Sequence, residues 1–470
     1  MKQSRSKGPK KTINRRTFLG YSTMAGAAML IPRHVLGGRG FVAPSDKVSI
    51  AVIGTGGQGL VNLRELFKED DVEVIAIADP NEESDYSQWY YGGTAGRKPA
   101  LDLIKRHQSN GKGDGVQCAD YIDYRRMLER EKSIDAVLVA TPDHVHAVAT
   151  IAALKLGKHV YCEKPLTRTI YEARQIAAAA KAADVATQMG NQGHSGEGIR
   201  KTCEYIWAGA IGEIREVQAW TGAGGWAMDG RPKETPPVPR TFNWDLWLGP
   251  APYRPYHPTY APFNWRGWWD FGTAAIGDMA CHNMDPAFWA LKLGHPTSVE
   301  AIDTPIHPEI TPESSTVRYE FPEREGLPAV TVTWFDGDRR PPRPEELGRS
   351  ARMDGNGVIF IGSKGKIICP GWGGAPTILP EALAESTPEP AQTIPRSKGH
   401  HRDWLDACKG GPRSSADFEY STRLTEFVLL GNVAQRTEGK ILWDGEAMKV
   451  TNNESANQWV TPKYREGWSL

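Results

Sequence analysis

The chain has 470 residues, 40% hydrophobic and 9% aromatic, which is more than one hydrophobic core carries and suggests two domains behind a leader. Its 56 basic and 56 acidic residues cancel, so bulk charge supplies no field to draw nucleic acid or an anionic membrane. Outside the leader no apolar run reaches the roughly 18 residues of a membrane span.

Residues 1–45 differ in composition from the rest. Basic residues crowd Met1 to Arg16 without an acid among them, and Phe18 to Ile31 is only mildly apolar, with Gly and Ala in place of solid Leu. That is the layout of a signal peptide. Asn14-Arg15-Arg16-Thr17-Phe18-Leu19 resembles the twin-arginine export signal, which implies the twin-arginine translocase as a partner and a periplasmic or otherwise exported protein.

From Lys47 the pattern becomes regular. Val48 to Ile53 reads as a strand buried on both faces. Then come the turn Gly54-Thr55-Gly56-Gly57-Gln58-Gly59, a helix from Leu60 to Phe67, and a strand from Val72 to Ala78 ending in Asp79. Glycines at the first, third and sixth turn positions allow a tight bend, close approach of a pyrophosphate and packing of helix on strand. The helix start favours an anion. Asp79 stands 20 residues past Gly59, where a carboxylate accepts from an adenosine ribose and repels a 2′-phosphate, so NAD is favoured over NADP.

Residues 81–115 form a long, turn-rich excursion around a helix from Pro99 to Gln108, and its sequence fits a lid or a spacer equally. A helix (Tyr124 to Glu131), a strand (Ala136 to Ala140), the loop Thr141 to His146 and an alanine-rich helix to Leu156 follow. A strand from His159 to Cys162 enters Glu163-Lys164-Pro165-Leu166, and a helix from Ile170 to Ala183 and a strand from Val185 to Met189 complete the alternation. Such alternation predicts a mostly parallel Rossmann-type sheet over residues 46–190. Lys164 lies at a strand's carboxyl end, the ligand-binding edge of such sheets, where its ammonium can meet a substrate oxygen or the nicotinamide.

After Gly190, prolines, glycines and tryptophans become dense. Alternating segments at Arg215 to Trp220, Ser315 to Phe321, Ala329 to Phe335 and Val358 to Ile361 predict antiparallel strands, and an α/β domain over 191–470 built on an open sheet. Within it, Asp278, His282 and Asp285 stand at i, i+4 and i+7, one face of a helix. An aspartate one turn from a histidine is expected to fix the ring's tautomer and favour its protonated form, giving a base for the hydroxyl proton lost with hydride. No further ligand cluster joins the pair, which argues against a metal. Trp265, Trp268 and Trp269 offer flat apolar rings to sugar faces or to a core, and Arg266 a guanidinium to a carboxylate or hydroxyls. His144, His194 and Asp285 read as structural or solvated. The six cysteines form no Cys-x-x-Cys pair and read as buried thiols.

Gly54 to Gly59, Thr141-Pro142 with His146, Glu163-Lys164-Pro165, and Asp278 with His282 together resemble the glucose-fructose oxidoreductase, inositol dehydrogenase and rhizopine catabolism family, Gfo/Idh/MocA, over about residues 46–450. The resemblance implies a Rossmann domain followed by an α/β domain with a large, open, mostly antiparallel sheet that often mediates homo-oligomerisation. It implies that Lys164 and His282 face substrate, that Asp278 supports them, and that Thr141, Pro142, His146, Glu163 and Gln192 line the cofactor. Two departures bear on the substrate side: Ala280 replaces the glycine of Asp-x-Gly-x-His, and the excursion after Asp79 is long. The segment WWDFGTAAIGDMACHNMD looks like the exported branch, which includes NAD-dependent glycosidases of the α-N-acetylgalactosaminidase type. The expectation is an exported NAD-dependent enzyme on a sugar or polyol, with Lys164, Trp265, Arg266, Asp278 and His282 at the substrate and the cofactor held tightly because free NAD is scarce outside the cytosol. The alternative uses the same residues for a redox-neutral glycoside hydrolysis.

Overall fold

A computed structural model describes residues 43–109, 117–226, 230–348 and 351–470. The twin-arginine motif, the apolar stretch after it and part of the 81–115 excursion lie outside the described residues. The chain divides at Lys47; before it the described residues hold the 3-10 turn Pro44–Asp46, and all that follows concerns Val48–Leu470.

β1 (Val48–Ile53) and β2 (Val72–Ala78) sit where alternation-free apolar runs put them, and α1 (Gly57–Leu66) joins them. The helix starts at Gly57, three residues before Leu60, because the turn's last glycines already carry helical geometry. The excursion contains a small hairpin, β3 (Ser84–Asp85) with β4 (Thr94–Ala95), and α2 (Arg97–His107). β5 (Ala119–Tyr121), too short and polar to read as a strand, precedes α3 (Tyr124–Arg130). β6 (Ala136–Val139), β7 (His159–Cys162) and β8 (Thr187–Met189) alternate with α4 (Asp143–Lys155) and α5 (Ile170–Ala183). The six strands run parallel in the order β5-β2-β1-β6-β7-β8. The order reverses between β1 and β6, so a crevice opens at their carboxyl ends. α4 begins at Asp143, so His144 and His146 stand on its first turn and not in a loop: Pro142, with φ of −60°, leads directly into it.

The second sheet has nine strands. They are β9 (Ile214–Thr221), β10 (Ser298–Ile302), β11 (Thr316–Phe321), β12 (Val330–Phe335), β13 (Asn356–Gly362), β14 (Lys366–Pro370), β15 (Thr377–Leu379), β16 (Ile441–Asp444) and β17 (Lys449–Val450). Their order is β15-β14-β13-β9-β12-β11-β10-β16-β17, and only the β9–β12 pairing is parallel. Helices on one face include α6 (Ala274–Asn283), α7 (Asp285–Ala290) and α8 (Phe418–Gln435). Close approach is built in at Gly431 of α8, where a Cβ would lie 2.3 Å from the Tyr319 hydroxyl and 2.4 Å from Cδ1 of Ile276. Asn432 Nδ2 donates to the Thr273 carbonyl at 2.9 Å, and Asn283 Nδ2 to that of Trp220 at 2.8 Å. α6 is thus tied at its start to α8 and at its end to β9, which fixes the residues it carries. The six cysteines are free thiols, four of them buried. Among the described residues no helix is long and apolar enough to cross a membrane.

Candidate active site

A cleft of ≈ 890 Å³ begins at the carboxyl ends of β1 and β2 and ends beyond α6. Its first end is made of main chain. Gly54 has φ of +89°, and a Cβ there would lie 2.6 Å from the Ala140 carbonyl; one on Gly59 would lie 2.2 Å from the Gly54 oxygen. No other residue fits either place, and the turn remains bare. Asp79 is 8% exposed. Its Oδ2 accepts from the Thr55 amide at 2.7 Å and its Oδ1 from the Asn81 amide at 2.8 Å, so the carboxylate first of all ties the turn to β2. Burial raises its pKa in spite of those bonds. A carboxylate offers about four lone-pair sites, which leaves room for a ribose hydroxyl. The bare turn, the helix start and the carboxylate fit a dinucleotide.

The opposite end is made of charged side chains. Lys164 Nζ donates to Asp278 Oδ1 at 2.7 Å and to the Asp278 carbonyl at 2.9 Å, which leaves one of its three N–H bonds unengaged. Arg266 Nε stands 3.5 Å from the same Oδ1. Burial opposes all three charges, yet the carboxylate and the two cations hold one another: the Lys164 ammonium and Arg266 guanidinium keep the Asp278 carboxyl well below the usual range, and Asp278 raises both cations against their mutual repulsion. Arg266 is further sandwiched against Trp265 and Phe263, 4.2 and 4.4 Å from their ring centroids.

His282 corrects one expectation. Asp278 gives its carboxylate to Lys164, and no hydrogen bond joins it to the ring one turn on; His282 Nδ1 is buried with no partner. Burial, and then the Lys164 charge, push the imidazole down to about 3, with Asp278 opposing weakly. The ring is therefore neutral, not poised as a cation. Asp285 departs as well. α6 ends at Asn283 and Asp285 opens α7, so the i+7 spacing does not keep it on the same face. Instead Asp285 accepts from Asn191 Nδ2 at 2.9 Å and the Tyr420 hydroxyl at 2.5 Å, and faces His194 Nδ1 at 2.9 Å, away from the cleft.

Of the residues singled out in the sequence, Gly54, Gly56, Gly57, Gln58, Asp79, Thr141, Pro142, His146, Glu163, Lys164, Gln192, Trp265, Arg266, Asp278 and His282 line the one cleft. Thr55 and Gly59 lie just behind it. Several of these lining side chains hold the scaffold. His146 places its ring nitrogens 2.8 and 2.7 Å from the carbonyls of Thr141 and Pro165. Glu163 Oε1 accepts from Gln58, Asn62 and Gln192 at 3.2, 2.9 and 3.3 Å. His144 sits between the carbonyls of Trp247 and Phe271. Trp268, Trp269 and Ala280 are buried in the core, and none of the three lines the cleft.

Sequence reasoning missed four groups of lining residues. The excursion folds Tyr86, Trp89, Tyr90 and Tyr91 over the turn: the Gly57 amide donates to the Tyr86 hydroxyl, and a Cβ on Gly57 would lie 2.2 Å from the Tyr91 ring. The run Gln88-Trp89-Tyr90-Tyr91 was the available signal. Asp143 receives a hydrogen bond from Thr273 Oγ1 at 2.6 Å, and burial, only partly offset by that bond, pushes it up to about 7. The strip Thr221 to Trp226 and Trp372 wall the far end, and nothing local in the sequence marks them.

Comparison with known proteins agrees with this architecture. The family model for the NAD-binding Rossmann fold of the GFO/IDH/MocA oxidoreductases matches residues 48–191, and the model of that family's C-terminal alpha/beta domain matches residues 216–324. A glycosyl hydrolase family 109 protein of Stenotrophomonas maltophilia is 36% identical over 151 residues, 32% of this chain and 29% of that protein. A levoglucosan dehydrogenase of Pseudarthrobacter phenanthrenivorans is 28% identical over 188 residues, 40% of each chain. These matches span less than half the length of the curated relatives. In fold, the chain is similar to the WlbA dehydrogenase of Bordetella pertussis, solved with NADH and UDP-GlcNAcA: TM-score 0.56, 16% identity, covering 85% of this chain and 99% of that one. It is also similar to the aldose-aldose oxidoreductase of Caulobacter crescentus: TM-score 0.52, 17% identity, covering 84% and 100%.

Proposed function

Because this chain belongs to the Gfo/Idh/MocA oxidoreductase family, we propose that it is an exported, NAD-dependent enzyme that moves a hydride at a carbohydrate hydroxyl and keeps its cofactor through successive turnovers. The observation that carries this reading is the Lys164, Asp278 and His282 group in the same cleft as the bare glycine turn. The cofactor, held by the turn and by Asp79, supplies the hydride acceptor. Asp79 favours NAD over NADP by repelling a 2′-phosphate.

The remaining work falls to side chains. Lys164 directs its unengaged N–H at the substrate oxygen and, by its charge, favours loss of the hydroxyl proton. His282 takes that proton at Nε2, Nδ1 being sealed off. Asp278 keeps Lys164 charged and aimed, and its charge one turn away steadies the imidazolium that results. Arg266 and Trp265 shape the substrate end. Sugar chemistry is supported by the levoglucosan dehydrogenase and glycosyl hydrolase relatives. Export rests on Asn14 to Leu19; it makes the twin-arginine translocase a partner and retention of a cofactor acquired in the cytosol necessary. The broad nine-stranded sheet suits association of the chain with copies of itself.

A second reading is favoured by the extension of the cleft past His282. Oxidation beside a glycosidic bond makes the neighbouring C–H acidic; loss of the aglycone, addition of water and return of the hydride then hydrolyse the substrate with no net redox change. Mixing purified protein with sugars and glycosides, without added NAD, separates the two. A reduced-nicotinamide band near ~340 nm that persists until an acceptor is added supports net oxidation. Aglycone release over many turnovers without that band supports hydrolysis. No band and no release, in protein that holds NAD, sinks both.

A further inference from the structure

Beyond His282 the cleft continues along residues that hydride transfer does not require. Its floor is Thr221 to Gly225 at the end of β9, almost all main chain, and Trp372 stands over it. Trp372 belongs to a tight turn between β14 and β15, closed by the Gly374 amide donating to the Pro370 carbonyl at 3.1 Å. The turn is pressed onto two glycines. A Cβ on Gly193 would lie 2.3 Å from the Trp372 carbonyl oxygen, and one on Gly198 would lie 2.2 Å from that of Gly374. This packing holds Trp372 at φ of +56°, a region that residues with side chains rarely enter.

The side chain stays half in water all the same. Trp372 is 48% exposed, while its ring centroid stands 5.9 Å from that of His282. A large apolar ring kept in water on a strained main chain, beside the proton-accepting imidazole, is a ligand platform and not a packing element. Among the described residues lining this end none is charged; the Arg340 guanidinium reaches the Thr221 carbonyl of the floor at 3.3 Å and donates also to the carbonyls of Gly337 and Arg339, so the end suits a neutral ring with polar edges. A flat indole stacks on the C–H face of a pyranose or on an arene, and the peptide groups of the floor can meet hydroxyls at the ring's edge.

We infer that Trp372 forms a second subsite, which stacks the ring on the other side of the substrate's glycosidic bond, a second sugar or an aryl aglycone. The inference rests on the carbohydrate reading of the site and sharpens it: the substrate is a glycoside and not a free monosaccharide. Lys164 and His282 handle a hydroxyl of one ring while Trp372 holds its partner.

The test is calorimetric titration of p-nitrophenyl glycosides, disaccharides and methyl glycosides of the same sugars into the cofactor-loaded protein, as wild type, Trp372→Gly and Trp372→Phe. Glycine accepts φ of +56°, so the first variant removes the ring without straining the turn. Trp372→Gly is expected to weaken aryl glycosides or disaccharides about tenfold more than methyl glycosides, equivalent to about 1.4 kcal/mol. Trp372→Phe should recover most of that loss, since a smaller ring still stacks. Loss confined to disaccharides identifies a sugar as the second ring, and loss confined to p-nitrophenyl glycosides an arene. Equal losses across the three ligand types, no loss, or no binding of any glycoside by wild type overturns the subsite. Cofactor reduction by free sugars in a protein that binds no glycoside would do so while leaving the hydride-transfer reading intact; glycoside binding through Trp372 with neither cofactor reduction nor aglycone release would do the reverse.

Discussion

The two ends of the cleft are built in opposite ways. The glycine end is main chain: Gly54 and Gly59 leave space that any Cβ would fill, and Asp79 ties the turn to its own neighbouring strand. The other end is side chain, with Lys164 from the end of β7, Asp278 and His282 from α6 and Arg266 from the segment before it, held by mutual compensation of buried charge. A site of the first kind fails when shape is added; one of the second kind fails when a charge is removed.

Asp278→Ala tests this difference hardest. It strands Lys164 and Arg266 as buried, unpaired cations, and is expected to lower stability by about 3–5 kcal/mol and to abolish cofactor reduction, read from the urea midpoint and the nicotinamide absorbance. Lys164→Ala and His282→Ala should each slow reduction by roughly 10²–10⁴ while the protein still carries its NAD. Cofactor loss from Lys164→Ala would show that the ends are not independent.

Gly54→Ala should behave conversely. The strained φ and the clash with Ala140 make a loss of about 3 kcal/mol the expectation, with bound nucleotide, quantified after heat release, falling to little or none. A smaller step at the same end is Asp79→Ala, expected to weaken NAD about tenfold through loss of one charged hydrogen bond. It should narrow the preference over NADP, as competitive displacement would measure.

The two ends also differ in pH dependence, where two cleft residues carry opposite signs. Asp143 is raised from 3.8 to about 7. The folded state therefore holds the extra proton, and this contribution to stability, complete below about pH 4, is lost as pH rises through 7. His282 is lowered from 6.5 to about 3. There the unfolded chain holds the extra proton, so its contribution is present above 6.5 and is lost as pH falls toward 3. Asp143→Asn should remove a downward slope of stability between pH 4 and 7, and His282→Ala an upward one between 3 and 6.5, both from denaturant midpoints across pH. In the rate profile, no limb near 6.5 should come from His282.

Lys47 to Asp79 was legible because its determinants are adjacent in sequence. A short, β-branched apolar run that ends in a glycine turn reads as a strand covered on both faces, and glycines at fixed spacing before a helix leave the main chain few alternatives. β9, β11, β12 and β13 were legible from alternation to within one or two residues at most ends. The partner of Asp278 was not. Helical spacing offers His282, one turn on, whereas the fold delivers Lys164 from a strand 114 residues away, and a buried carboxylate takes the permanent cation over a neutral ring because only the cation offsets its lost hydration.

The sequence by itself determined the dinucleotide end, the alternation of strands and helices in the first sheet apart from β5, and the residue types available for chemistry, since each follows from local periodicity or local shape. Only the tertiary structure decided which charges meet, that His282 stays neutral, that Asp285 turns away with His194 and Tyr420, and that the excursion's aromatic residues and Trp372 line the cleft. Those outcomes depend on which distant segments exclude water from one another, and no spacing along a single segment encodes that.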